Sequence, residues 1–134
     1  MKYAYDTSYF PPFPGLEIIL RLPDETQIGP LPALMDTGAD ITIVPASLLD
    51  ETGAFPDEDG FLQDQWGGLH AIDFYTVKVI ISGIHLPGIV VAGDQFSNEL
   101  ILGRNLLNKL TFLLDGPSLQ TEIYEFRPRI IRKS

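Results

Sequence analysis

The chain contains no cysteine, which excludes disulfides, thiolate zinc sites, iron–sulfur clusters and cysteine nucleophiles together. Positive charge is scarce as well. Nine Lys and Arg stand against eighteen Asp and Glu, a formal net charge of -9. A protein that tracks nucleic-acid phosphates needs a basic face, so no nucleic-acid partner is expected. No apolar run approaches the ~20 residues of a membrane span, so no membrane partner is expected either. The opening Met1-Lys2-Tyr3-Ala4-Tyr5-Asp6 lacks the apolar core and cleavage site of a secretory leader. A soluble, cytoplasmic protein is the expectation. Other chemistries are missing too. Ser47, Ser82 and Ser97 sit in helix-start or turn contexts rather than nucleophile motifs, and Gly103-Arg104 lacks phosphate-loop spacing. His70 and His85 have no acidic partners at metal-ligand spacing and read as ordinary strand or loop residues. No metal and no cofactor are expected.

What is present points to short strands. The 134 residues are 45% hydrophobic, enough for one domain over residues 1–134 with a core of its own. Twelve glycines and eleven prolines punctuate the chain closely, which suits strands and disfavours a helical bundle. Residues 1–15 read as an extended arm. Leu16, Ile18, Leu20 and Leu22 alternate with Glu17 and Arg21, a strand with one buried face. Further strands are expected over Ile28–Met35, Ile41–Val44, Ile72–Ile81, Ile84–Ala92 and Leu100–Gly103, then at Leu113-Leu114 and Thr121–Phe126. Pro45 suits a first helical turn before Ala46. Residues 50–65, with Asp57-Glu58-Asp59-Gly60 at their centre, read as a long solvated loop leading to a hairpin tip at Trp66-Gly67-Gly68. Arg104–Leu110 is the helix candidate, on the spacing of Leu106, Leu107 and Leu110. Arg127, Arg129, Arg132 and Lys133 form a basic tail that reads as a loose end. The expectation is a mainly-β domain with one short helix near its C-terminal end.

Two segments carry the chemical signal. In Leu34-Met35-Asp36-Thr37-Gly38-Ala39-Asp40 a carboxylate leaves an apolar strand, and Thr-Gly turns the chain into the next one. In Glu99-Leu100-Ile101-Leu102-Gly103-Arg104-Asn105-Leu106-Leu107 a buried strand runs into an amphipathic helix. In this order and separation the pair resembles the retropepsin-like aspartic proteases, the single-lobe relatives of pepsin, over residues 16–115. The acidic 50–65 segment, the N-terminal arm and the tail after Gly116 have no clear counterpart.

The resemblance implies an all-β, closed β-barrel with one short C-terminal helix and a flap hairpin. It also implies an aspartic endopeptidase that acts on a peptide or protein. Two carboxyls about 3 Å apart cannot both ionise; they share a proton, one taking a proton from water while the other polarises the scissile carbonyl. One motif Asp is present per chain, since Asp50-Glu51-Thr52-Gly53 has the wrong spacing and Leu114-Asp115-Gly116 lacks Thr or Ser. A homodimer, which brings identical residues to its two-fold axis, would complete the pair. Carried over residue by residue, Asp36 is half the dyad, Thr37 hydrogen-bonds across the axis and Gly38 admits the substrate backbone. Ala39 and Asp40 face the substrate, Asp40 ion-pairs with Arg104, and Trp66, Gly67 and Gly68 cover the bound peptide. Ala39 stands where pepsin-like enzymes usually carry Ser or Thr, which implies a pH optimum less acidic than pepsin's. The alternative is a catalytically silent retropepsin-like dimerisation or peptide-binding module.

Overall fold

The computed structural model describes residues 1–129; Arg132 and Lys133 of the basic tail lie outside the described residues. The alternation that begins at Leu16 forms β2 (Gly15–Arg21), with Leu16, Ile18 and Leu20 buried and Glu17 exposed. It pairs antiparallel with β3 (Gln27–Met35), whose last three residues, Ala33, Leu34 and Met35, are buried. β4 (Thr42–Pro45) follows, then one helical turn, α1 (Ala46–Asp50), which buries Leu49. β5 (Glu58–Gln63) and β6 (Leu69–Ile81) make a long hairpin, and β7 (Ile84–Asp94) returns along β6. β8 (Ile101–Leu102) leads into α2 (Arg104–Leu107). β9 (Thr111–Asp115) and β10 (Gln120–Tyr124) complete the chain, and β1 (Lys2–Ala4) pairs with β10.

The large sheet runs β2-β3-β8-β4-β7-β6-β5, and β2 also pairs with β6. These pairings close a ring of six strands, with β5 attached outside it. One-sided burial writes the pattern of its walls: Tyr75, Val77, Val79 and Ile81 of β6 point inward with Leu20, Val44, Val91 and Leu102. Truncating such a residue to Ala typically costs about 2–5 kcal/mol. A separate three-stranded sheet, β1-β10-β9, lies beside the ring.

Three expectations need correction. Residues 58–63 are strand, not loop: Glu58 and Asp59 are exposed, yet the backbone pairs with residues 69–74, so hydrogen bonding rather than burial makes the strand. Helices number two among the described residues, because the turn after Pro45 is α-helical and anchored by Leu49. α2 stops at Leu107, where Asn108–Leu110 turn the chain toward β9.

Candidate active site

β3 and β8 run parallel, Met35 opposite Leu102, and deliver two chain segments to one place. The Asp36 N–H donates to Leu102 O at 3.0 Å and the Leu34 N–H to Leu100 O at 2.9 Å, so the strand is held up to the aspartate itself. On its other side the Met35 N–H donates to Pro14 O at 2.9 Å. Beyond Asp36 the chain turns sharply. The Gly38 N–H donates to Asp36 Oδ1 at 2.9 Å, and the Ala39 N–H to Asp36 O at 3.1 Å. A Cβ on residue 38 would lie 3.1 Å from that same Oδ1, so glycine leaves the carboxylate its place. Asp36 is half-buried, whereas Thr37 and Gly38 are exposed.

The turn is stitched to α2 by its carbonyls. The Arg104 N–H donates to Ala39 O at 2.8 Å and the Asn105 N–H to Asp40 O at 3.3 Å. The Arg104 guanidinium donates through Nη1 to Thr37 O at 2.7 Å and through Nη2 to the Asp40 carboxylate. Asp40 and Arg104 are therefore paired, on a side of the turn open to solvent. An exposed pair stabilises by at most about 1 kcal/mol; its effect here is to fix the direction of a loop.

Three residues without an assigned role do more of the holding. Thr42, fully buried, donates through Oγ1 to Asn105 Oδ1 at 2.9 Å and accepts from the Gly103 N–H at 3.1 Å. Asn105 Oδ1 also accepts from the Thr42 N–H at 2.9 Å, and its Nδ2 donates to Val90 O at 2.8 Å, reaching β7. At Gly103 a Cβ would fall 2.5 Å from Ile41 C and O, so the two backbones touch. The sequence signal for Gly103 and Asn105 was the Gly103-Arg104-Asn105 run itself; Thr42 carried none.

Trp66, Gly67 and Gly68 stand apart from this cluster, in the turn between β5 and β6. Trp66 is 85% exposed. Among the described residues no side-chain hydrogen bond joins that tip to the Asp36 turn. His70 is a strand residue, as expected, in β6, and its Nε2 lies 2.9 Å from Asp64 Oδ2, a partner the sequence analysis did not name. Among the described residues no three His, Cys, Asp or Glu converge as a metal site, and no helix is long and apolar enough to cross a membrane. A cavity of about 340 Å³ under the N-terminal arm, lined by Tyr3, Tyr9, Glu17 and Leu34, does not include Asp36.

No protein-family model and no curated protein matches the chain. Solved structures do. A retropepsin-like aspartic protease from Rickettsia conorii superposes with a TM-score of 0.60 at 15% identity, covering 90% of this chain and 86% of that one. The EIAV protease, solved with the inhibitor HBY-793, gives 0.52 at 21% identity over 72% and 86% of the two chains. The retroviral protease-like domain of Ddi1 from Leishmania major gives 0.53 at 18% identity over 84% and 90%. At these identities the likeness is one of shape, and the shape is the retropepsin-like fold.

Proposed function

We propose that the chain, as a single domain over residues 1–134, is one half of a homodimeric aspartic endopeptidase. In this reading the two Asp36 carboxylates meet across a two-fold axis. The observation that carries it is the Asp36 turn: a half-buried carboxylate that accepts from the Gly38 N–H, on a residue whose own N–H donates to Leu102 O at the end of a buried strand. Two such carboxyls at about 3 Å share one proton. The ionised one takes a proton from water, whose oxygen adds to the scissile carbonyl carbon, while the protonated one donates to the carbonyl oxygen. The C–N bond then breaks: the amine leaves with a proton from one carboxyl, while the other carboxylate takes the proton of a hydroxyl on the tetrahedral carbon, which restores the shared proton.

A second copy has a place to bind. β9 is an edge strand, and its residues Leu113 and Leu114 are 49% and 41% exposed. Among the described residues, 111–115 make no backbone hydrogen bond outside the β9–β10 ladder. An antiparallel pairing of β9 with its mate would be self-complementary and would cover an edge otherwise open to any strand. β9 follows α2 directly, and α2 begins at the residue bound to Thr37 and Asp40.

Thr37, exposed on each copy, would bond across the axis. Gly38 leaves room for the substrate backbone, Ala39 and Asp40 face it, and Trp66, Gly67 and Gly68 cover an extended peptide that pairs strand-like with the protein. The charge of -9 slows the approach of acidic peptides. The cytoplasm is the compartment that goes with this reading, since a cysteine-free chain loses nothing in a reducing medium.

The test is hydrolysis of a mixed peptide library by the wild type and by Asp36→Asn, with solution mass measured alongside. Cleavage by a dimer, reduced about 10²–10⁴-fold or more by the substitution, is the expected result. A dimer that binds library peptides and cleaves none would identify the silent module instead. Cleavage indifferent to Asp36→Asn would end the proposal.

A further inference from the structure

The turn between β5 and β6 carries its own acid–base pair. Asp64 Oδ1 accepts from the N–H of Trp66 at 2.9 Å and from that of Gly68 at 2.8 Å. The Asp64 N–H donates to Gly68 O at 2.9 Å and the Gly67 N–H to Asp64 O at 3.1 Å, which closes the turn. The second carboxylate oxygen, Oδ2, lies 2.9 Å from His70 Nε2. One side chain thus ties the tip to itself and to the start of β6. A Cβ on residue 68 would lie 2.7 Å from Oδ2, so glycine is what lets the carboxylate sit there. The bond from His70, and after it those from Gly68 and Trp66, hold the Asp64 carboxyl below the usual aspartate range.

Among the described residues, the hairpin puts one further charged side chain on the face of this pair. His70 stands opposite Leu62 of β5. Strand alternation puts Glu58 and Gly60 of β5, and Ile72 and Phe74 of β6, on the same face. Glu58 is the charged group among them; it stands opposite Phe74, roughly 13 Å along the strand at about 3.3 Å per residue. Asp59 and Asp73 face the other way, and β7 joins β6 only from Asp73 onward. The group facing His70 is therefore Asp64.

We propose that Asp64 and His70 are positioning residues that set Trp66 over a bound peptide, and that the proton on His70 decides how firmly the tip is held. The proposal rests on reading the hairpin as the cover of a peptide site. With Asp64 ionised and His70 protonated, the contact is a hydrogen bond between full charges, stronger than one to neutral imidazole. Loss of the imidazole proton leaves the weaker, neutral bond, so the tip loosens as the pH rises.

Trp66 is the one tryptophan of the chain, so its fluorescence anisotropy reads the tip without any assumption about activity. The full chain is titrated from pH 5 to 8 as wild type, His70→Gln, His70→Lys and His85→Gln. The wild type and His85→Gln are expected to lose anisotropy in one step within the range where imidazole discharges, about pH 5–8. His70→Gln stays low throughout, and His70→Lys, which keeps a cation opposite Asp64, stays high throughout. Where the chain cleaves peptides, KM rises about two- to fivefold across the same step in the wild type and stays flat in His70→Lys. An unchanged step in His70→Gln, or no step in the wild type, overturns the proposal. A normal anisotropy step in a chain that cleaves nothing leaves the Asp64–His70 device standing and sinks the peptidase reading.

Discussion

The two turns that bear the candidate residues are built in opposite ways. The Asp36 turn is held from outside: α2 takes its carbonyls, β8 takes its first amide, and Thr42 and Asn105 lock the base to β7. The 64–68 turn is held from inside, by one carboxylate of its own and a histidine six residues on. Moving the first means breaking bonds to several other segments at once; moving the second breaks only local ones. A carboxylate that must meet its twin at about 3 Å needs the first construction. A cover that must open for an extended peptide needs the second.

The contrast is broken most forcefully at glycine. Gly103→Ala puts a Cβ 2.5 Å from the Ile41 carbonyl, backbone against backbone in a buried place. It is expected to cost about 3 kcal/mol or more, read as a lower midpoint in urea with the m-value kept. Gly67→Ala, at φ +84 with only the Gln63 amide nearby, should cost about 1–2 kcal/mol, from the left-handed backbone alone. Equal costs at the two sites would mean the tip is as rigid as the Asp36 turn.

Next in size comes Thr42→Val, which keeps the shape and deletes the hydroxyl. The buried Gly103 N–H loses its acceptor, and Asn105 Oδ1 loses one of its two donors. An unsatisfied buried group of this kind costs about 1–3 kcal/mol. Denaturant unfolding measures the cost, and the amide of Asn105 should exchange faster with solvent while those of the 64–68 turn stay unchanged. A change that reached Trp66 would show the two turns to be coupled.

How far the sequence disclosed this arrangement follows from what writes a pattern into it. Strands with one buried face were legible, because burial imposes a period of two: Leu16 to Leu20 and Tyr75 to Ile81 are the clearest cases. β5 was not, because its stretch of the hairpin stands away from the core; Glu58, Asp59 and Phe61 are all exposed, and only pairing with β6 makes the strand. The spacing of Leu106, Leu107 and Leu110 argued for a longer helix than α2, yet Leu110 packs against the core from a turn. The Asp36 and Arg104 segments could be singled out as motifs, and the structure puts them in contact. Thr42 and Asn105 could not be paired beforehand, since nothing local says that residues 63 apart will meet. Asp64 and His70 lie only six apart, but the turn that joins them depends on Gly67 and Gly68.

The smallest expected effect lies at the acid end of the tip. Asp64 has its carboxyl held below the ordinary aspartate range by the His70 bond first and by the Gly68 and Trp66 amides after it. A lowered folded value fixes the sign: the carboxylate's hold on the turn is complete above the ordinary value of about 3.9 and is lost as the pH falls through the lowered one. Both bonded amides should therefore shift together in a proton–nitrogen spectrum, with one midpoint below about pH 3.9. Asp64→Asn should remove that transition and leave the rest of the spectrum in place. Because the carboxylate is open to solvent, its protonation should loosen five residues and leave the unfolding midpoint of the whole chain almost where it was. A concerted change at Gly38 or Asn105 over the same titration would mean that the turn held from inside is not independent of the turn held from outside.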